Sequence, residues 1–455
     1  VTPEVAAARS AEVDRDPPIS VLARPAQHTS IRWEWLQEEV FRSLWFVPLC
    51  FLTGALVLAR LSLVIDDRID ATTLPEELLP GDVQAVAQTM STVAAAMLTF
   101  LAIVLSSTLI AVQLASSQYS PRIVRIFVNS PMTKVTVGFF LATFVFAFHG
   151  IVVGEQSGAS VPTVTISVSY LLVLLTLVMV VVYLHGIVKL LRVQHLLQRT
   201  AHDAYAVMEK EFPPESAYRT AEAPRPGPRT RTVEFLGNSG ILQVIDLRGL
   251  AEAADAQGCW IEMRVAVGEH TSPHTPLAVV HGADPWALSD LDVVEHMLFG
   301  HVRTLQQDPA YGIRMLVDTA SRALSPAIND PTTAVHALNI IIDLLARVAD
   351  RPDPTGWYTS RSGAVRLRLL DDSFARLAEL GLTEILCYGA GAPQVTRRLA
   401  AAYGEIEELL GDDATGEERR QVIRRLRTQY AAAVAEAGDG AFADVASQPD
   451  RMGLG

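Results

Sequence analysis

Four long apolar runs dominate the first half of the chain. The first is Leu44 to Ile65, broken by one charge, Arg60, near its end. The second is about Met90 to Leu114. The third, Val135 to Val153, is rich in phenylalanine (Phe139, Phe140, Phe144, Phe146, Phe148), and the fourth runs from about Val164 to Ile187. A helix needs roughly 20 apolar residues to cross the hydrocarbon core of a bilayer. Each run has that length and almost no charge, so each is predicted to span a membrane. The alternative is four buried helices of a large soluble protein, and runs this long and this free of charge disfavour it.

The second run is patterned. Gln88, Thr92, Ala95, Thr99, Ala102, Ser106, Leu109, Gln113 and Ser116 recur at alternating steps of four and three, which places them on one stripe of a helix. All but Leu109 are small or polar. Val93, Met97, Phe100, Val104 and Ala111 fall on the other side. A polar stripe faces lipid only at a cost, so it must meet protein or water. Two readings stay open: close helix packing through small residues with hydroxyls bonded across the interface, or the lining of a pore. In the second reading Thr92, Thr99, Ser106 and Gln113, seven residues apart, face the path. No acidic or basic residue in this span marks a proton relay. At its inner end, Pro121 disfavours a helical Ser120, which fits a helix end better than a gate.

Beyond the spans the period changes. Ala221-Glu-Ala-Pro-Arg-Pro-Gly-Pro-Arg229 reads as a boundary within a linker over 201–229. From 230 to 282 the pattern is that of strands: Trp260 to Val267 alternates, and Pro276 to Val280 follows a turn. This strand–turn–strand order is similar to the hairpin of a barrel-sandwich hybrid. Biotinyl or lipoyl carriage is excluded, because no lysine follows Lys210, and the same absence removes a P-loop or Schiff-base enzyme from this part. Residues 283–455 are mainly helical, with one short strand candidate at Ala364–Leu370. The expected fold is therefore a four-helix transmembrane domain over 44–200, behind a tail and interfacial helix over 1–43, followed by an α+β soluble domain.

The most unusual run lies in that helical part. Asp308 can cap a helix that starts at Pro309, and Asn329 and Asp330 can cap one that starts at Pro331. Arg314, Asp318 and Arg322 fall at four-residue steps on one face and can pair. All six residues are explained by architecture; Asp318 or Asp330 as a catalytic base would lack a nucleophile, a metal set or a phosphate loop. His270, His274 and His281 fit no common zinc spacing, and Cys259 does not complete one. No cofactor, metal or enzymatic activity is expected.

Charge sets the orientation. Basic residues gather after the second span (Arg122, Arg125, Lys134) and after the fourth (Lys189, Arg192, Arg199). The loop after the first is acidic: Asp66, Asp67, Asp70, Glu76, Glu77 and Asp82 against one Arg68. By the positive-inside rule both termini face the cytoplasm. Trp33, Trp35 and Trp45 suit an interfacial helix ahead of the first span. Asp66, Asp67 and Asp70 would lie near the outer mouth of any path and favour cations. Half of all residues are hydrophobic and 19% are charged, as a membrane protein requires, and a net charge of −13 argues against nucleic acid as a partner. Three scattered cysteines build no disulfide framework.

Leu114-Ala-Ser-Ser-Gln-Tyr-Ser-Pro-Arg122, Gln307-Asp-Pro and Ala323-Leu-Ser-Pro-Ala-Ile-Asn-Asp-Pro-Thr-Thr-Ala334 together resemble a group of bacterial predicted membrane proteins, domain of unknown function 2254. The resemblance implies four spans and a soluble C-terminal region, in a bacterial cytoplasmic membrane. It implies no catalytic residues and no substrate. The function expected is a homo-oligomeric channel in the lipid bilayer, passing a small ion beside the second span. A membrane-anchored sensory or scaffold protein, whose soluble domain binds a partner or small ligand, is the alternative.

Overall fold

A computed structural model describes residues 20–26, 43, 45–66, 83–118, 131–156, 163–190, 193–225 and 229–437. The chain divides into two units, 34–196 and 1–33 with 197–455. Trp33 and Trp35, the acidic loop from Asp67 to Asp82, the Ser120–Pro121 helix end and the basic Arg122, Arg125 and Arg192 lie outside the described residues.

The first unit holds four helices long and apolar enough to cross a membrane: α1 (Phe46–Asp66), α2 (Val83–Gln118), α3 (Pro131–Gln156) and α4 (Thr163–Leu190). Helix α3 occupies the middle. Its apolar window is 44% buried, against 17–22% for the other three. The sequence of α3 allows this. A Cβ at Gly138 would sit 2.7 Å from the Phe51 ring, so only glycine lets α1 approach there. Phe51 and Phe139 then meet with ring centroids 4.9 Å apart. The flanking helices turn Leu49, Val57, Ile110, Leu174 and Val181 outward, an apolar surface suited to lipid. At about 1.5 Å per residue, the 36 residues of α2 reach about 54 Å, well beyond a hydrocarbon core of about 30 Å.

The second unit is built on a mixed, seven-stranded sheet of order β2-β1-β9-β10-β5-β7-β3. Its strands are β1 (Ser20–Pro25), β2 (Arg219–Glu222), β3 (Arg229–Glu234), β5 (Trp260–Met263), β7 (Pro276–Gly282), β9 (Trp357–Thr359) and β10 (Val365–Arg368). A three-stranded sheet, β6-β4-β8, joins β4 (Gly240–Ile245), β6 (His270–Thr271) and β8 (Met297–Gly300). Helix α5 (Val193–Glu211) leads into this unit. Next come α6 (Leu247–Ala256), α7 (Asp290–Val294), α8 (Pro309–Ala323), α9 (Pro331–Val348), α10 (Phe374–Gly389), α11 (Pro393–Leu409) and α12 (Ala414–Ala437). Leu250, Ala251 and Ala254 of α6 bury with Leu242, Ile261, Met263, Val280, Tyr358 and Leu367 in one core.

Two sequence expectations meet a different structure. The 201–229 stretch, a linker by its sequence, is largely ordered: α5 continues through Glu211, a short 3-10 turn covers Glu215–Ala217, and β2 ends at Glu222. The alternating proline run begins only after β2, at Pro224. Upstream, Leu197, Ala201, Ala204 and Met208 recur at helical spacing and are buried. The β-rich part also extends past 230–282. The barrel-sandwich-like hairpin of the sequence forms β5 and β7, antiparallel neighbours inside an open sheet. That sheet recruits β9 and β10 from far downstream and β1 from ahead of the first span. Strand β1 lies parallel to β9 and antiparallel to β2.

Candidate functional site

Helix α2 turns its apolar side inward. Met97 and Val104 pack with Phe140 and Tyr183, while Met90 and Ala94 pack with Ala147 and Ile166. Its polar stripe points the other way. Gln88, Thr92, Ala95, Thr99, Ala102, Ser106, Leu109 and Gln113 are all exposed on the chain. Among the described residues, then, no other helix of the chain covers the stripe. Phe100, placed on the opposite side from sequence, is also partly outward at 38% exposure, with its ring 6.3 Å from Phe140. The Thr92 hydroxyl donates to the Gln88 carbonyl at 2.9 Å and the Thr99 hydroxyl to Ala95 at 3.0 Å.

Polar bonds also fix the orientation of α2. The Thr108 and Tyr183 hydroxyls lie 2.6 Å apart, and Tyr183 donates to the Val104 carbonyl at 2.8 Å. On the neighbouring contact, the Thr143 and Thr176 hydroxyls lie 2.8 Å apart between α3 and α4. Such bonds hold spans together where no hydrophobic driving force acts between helices. Nothing in the local pattern around Tyr183 announces its partner, since the two are 75 residues apart.

Asp66 has partners that its sequence position beside Asp67 and Asp70 does not show. It accepts the backbone N–H groups of Val164 and Thr165 at 2.7 and 3.1 Å, and the Thr165 hydroxyl at 2.7 Å. The last residue of α1 thus caps the first turn of α4, where unpaired amides and the helix dipole both favour a carboxylate. Asp67 and Asp70 lie outside the described residues.

In the second unit, Asp308 is 1% exposed and caps α8 through the Tyr311 amide at 2.9 Å. Arg303 grips the same carboxylate as a fork, Nε and Nη2 each donating at 2.8 Å. Burial pushes the Asp308 carboxyl up to about 6, against the pull of Arg303 and the Tyr311 amide. A Cβ at Gly268 would lie 2.1 Å from an Asp308 oxygen, and its φ of +88° also demands glycine. The Gln307 side chain donates to the Ile245 carbonyl at 2.9 Å and accepts its N–H at 2.8 Å, so it continues the edge of β4. Arg314 pairs with Asp318 at 2.9 Å and with Glu384 of α10, and Arg322 comes next, half-buried, on the same face. Asn329 takes a left-handed φ of 50°, and Asp330 caps α9 through the Thr333 amide at 3.1 Å. Arg314 thus ties α8 to α10, Gln307 ties the entry of α8 to β4, and Asp308 and Asp330 cap α8 and α9.

The profile of a family described as "Predicted membrane protein (DUF2254)" matches residues 42–405, which include all four spans and both Asp-Pro helix starts. The chain belongs to that family. Uncharacterized proteins of Mycobacterium tuberculosis and Mycobacterium bovis are similar to it, each 31% identical over 345 residues. The match covers 73% of this chain and 66% of those relatives, so it spans a little under two thirds of their length. No solved structure matches.

Other candidate ligands in this DUF2254 chain have structural places. His274 sits in a turn at φ 66° and pairs with Glu234 at 3.1 Å. His281 stacks on Trp260 with centroids 4.0 Å apart, and burial lowers its pKa. His270 is exposed on β6. Among the described residues no group of three or more His, Cys, Asp or Glu could hold a metal ion. The arginines of α12 meet acids: Arg420 pairs with Asp412, Arg424 with Glu417, Arg425 with Glu379 and buried Arg419 with Asp353.

Proposed function

We propose that the chain assembles with copies of itself into a channel, with the stripe of α2 lining a water-filled path for a small ion. The observation that carries this reading is the outward orientation of Thr92, Thr99, Ser106 and Gln113, while Met97, Val104 and Ala111 pack inward. Among the described residues the four helices of one chain leave the stripe uncovered. Hydrocarbon is a poor medium for two glutamines and a row of hydroxyls. Neighbouring copies supply the missing surface, and a ring of such helices brings the hydroxyls around an axis. Hydroxyls and amides hydrate a passing ion without trapping it as a fixed charge would.

The location belongs to the same reading. Strand β1 precedes the first span and shares a sheet with strands that come after the fourth, which requires an even number of crossings. We place this shared side in the cytoplasm of a bacterial cell, from the basic residues around Lys134 and Lys189. The second unit is then the regulatory part of the channel.

A second reading is favoured by the Thr92 and Thr99 hydroxyl bonds to their own helix. Hydroxyls satisfied in this way suit a dry seam between copies, in a membrane-anchored scaffold whose soluble unit binds a partner. Cysteine substitution separates the two. The exposed Cys50 and Cys387 are first replaced by serine. In reconstituted protein, Thr99→Cys and Ser106→Cys should then react with a small charged thiol reagent and change conductance. Val104→Cys, on the inward face, should stay inert. Inert stripe positions, with no current under voltage or tension, would reject the channel and leave the scaffold.

A further inference from the structure

We propose that Arg24 and Glu211 form a proton-operated clasp, which holds strand β1 onto the end of helix α5. The clasp is tight with a proton bound and loosens when the proton leaves. It does not depend on whether α2 lines a path.

The geometry joins two distant segments. The Arg24 guanidinium donates to the Glu211 carbonyl at 2.9 Å and the Lys210 carbonyl at 3.4 Å, at the C-terminal end of α5. A cation suits that end, where carbonyls lack partners. The same group lies 3.7 Å from the Glu211 carboxylate and 5.2 Å from the centre of the Tyr358 ring. Tyr358 donates to Asp371 at 3.1 Å. Arg24 is 7% exposed, so the contacts are made out of water. Arg24 belongs to β1 and Glu211 ends α5, so the contact joins segments 187 residues apart in the sequence.

Two buried carboxyl groups, Glu211 and Asp371, share the one Arg24. Arg24 faces Glu211, Asp371, Tyr358 and Tyr218. Glu211 faces Arg24 and Lys210, with Asp371 and Asp372 opposing its charge. Asp371 faces Arg24, Tyr358, Asp372 and the Gly356 amide. Asp372 is drawn to Arg376, Arg303 and the Ala310 amide, with Glu269 opposing. Glu211, Asp371 and Asp372 also line a common cavity of about 30 Å3, room for about one water. Burial, which outweighs Arg24, pushes Glu211 up to about 7, and burial raises Asp371 and Asp372 as well.

These shifts set the direction of the linkage. An opened clasp returns Glu211 to water and to its ordinary value near 4.5. The closed form therefore binds a proton that the open form releases. That contribution is fully present below about 4.5 and is lost as pH rises through about 7. A one-proton linkage that runs between about 4.5 and about 7 makes opening about tenfold more frequent at pH 8 than at pH 6, most of it reached by pH 7.

Hydrogen exchange of the Val21–Arg24 amides tests this on the full chain in nanodiscs, after correction for intrinsic rates. Protection should fall about tenfold from pH 6 to pH 8. Glu211→Gln, neutral at both, should show no pH dependence and should be protected more strongly than the wild type already at pH 6, and Asp371→Asn should move the wild-type midpoint to lower pH. A flat wild-type response overturns the proposal, and so does a full response in Glu211→Gln. Should Glu211→Gln fail to fold, the Asp371→Asn midpoint decides: an unmoved midpoint rejects the clasp.

Discussion

Helices α2 and α8 both carry polar residues at regular helical steps, and the fold uses them in opposite ways. On α8 the steps point toward other elements. Asp308 is enclosed by Arg303, the Tyr311 amide and the backbone at Gly268, and Arg314 reaches Asp318 and Glu384. On α2 the stripe from Gln88 to Gln113 points away from the chain, and the helix is held through its other face by Met97, Val104 and Thr108. Periodicity alone is the same signal in both. What differs is partner chemistry: α8 repeats opposite charges that can satisfy one another within a unit, whereas α2 repeats small hydroxyl and amide groups with no counter-charge. A pattern that closes on itself is architecture. A pattern left open among the described residues is what the proposed channel rests on.

The largest expected effect lies on the closed side. Asp308→Ala removes an N-cap and leaves Arg303 beside an empty, buried position. Breaking a buried pair costs about 3 kcal/mol or more, and a lost cap adds about 1 kcal/mol. For a unit of this size a loss of 3 kcal/mol lowers Tm by about 6–12 °C. Differential scanning calorimetry of the full chain in detergent should show that drop, while Arg322→Ala, on the same face but half-buried, should change Tm far less. Equal shifts would mean that the Asp308 fork is not a special clamp.

Asp66 brings the same closed logic into the membrane unit. Asp66→Ala should destabilise that unit by about 1–2 kcal/mol, the ordinary range for a helix cap. Asp66→Asn should recover most of it, because asparagine also caps. Reversible unfolding in mixed micelles measures both. If asparagine behaves like alanine, the negative charge at the α4 dipole rather than the cap hydrogen bonds is what matters.

Local patterns are legible in the sequence and long-range partners are not. The four apolar runs announce α1 to α4, and the Asp-Pro pairs announce the starts of α8 and α9, because span length and cap chemistry are written within a few residues. Strand β1 leaves no trace: six residues, Ser20–Pro25, without alternation, find β9 more than 300 positions away. The Arg24–Glu211 contact joins positions 187 residues apart, and neither residue is unusual where it stands. Asp66 reads as one more acid in an acidic loop, since its partners at Val164 and Thr165 lie beyond two further spans. On α2 the sequence draws the stripe but not the way it faces, because burial is decided by the other three helices.

The smallest effects on the fold should come from α2, and their smallness is what sharpens the comparison. Tyr183→Phe removes the bond to Val104 and the contact with Thr108, and interhelical hydrogen bonds in membranes are worth on average about 0.6 kcal/mol. Thr99→Ala with Ser106→Ala should cost still less, within about 0.5 kcal/mol, as exposed positions do. The Thr99 hydroxyl is bonded to its own helix, so its removal strands no partner in the chain. Yet the same pair of substitutions strips the open stripe of its central hydroxyls. If the stripe meets water or a second copy, ion flux or the oligomer distribution in nanodiscs should change while micellar unfolding does not. A double variant that loses stability without changing flux or assembly would place those hydroxyls on the closed side with Asp308, and the contrast between the two helices would fail.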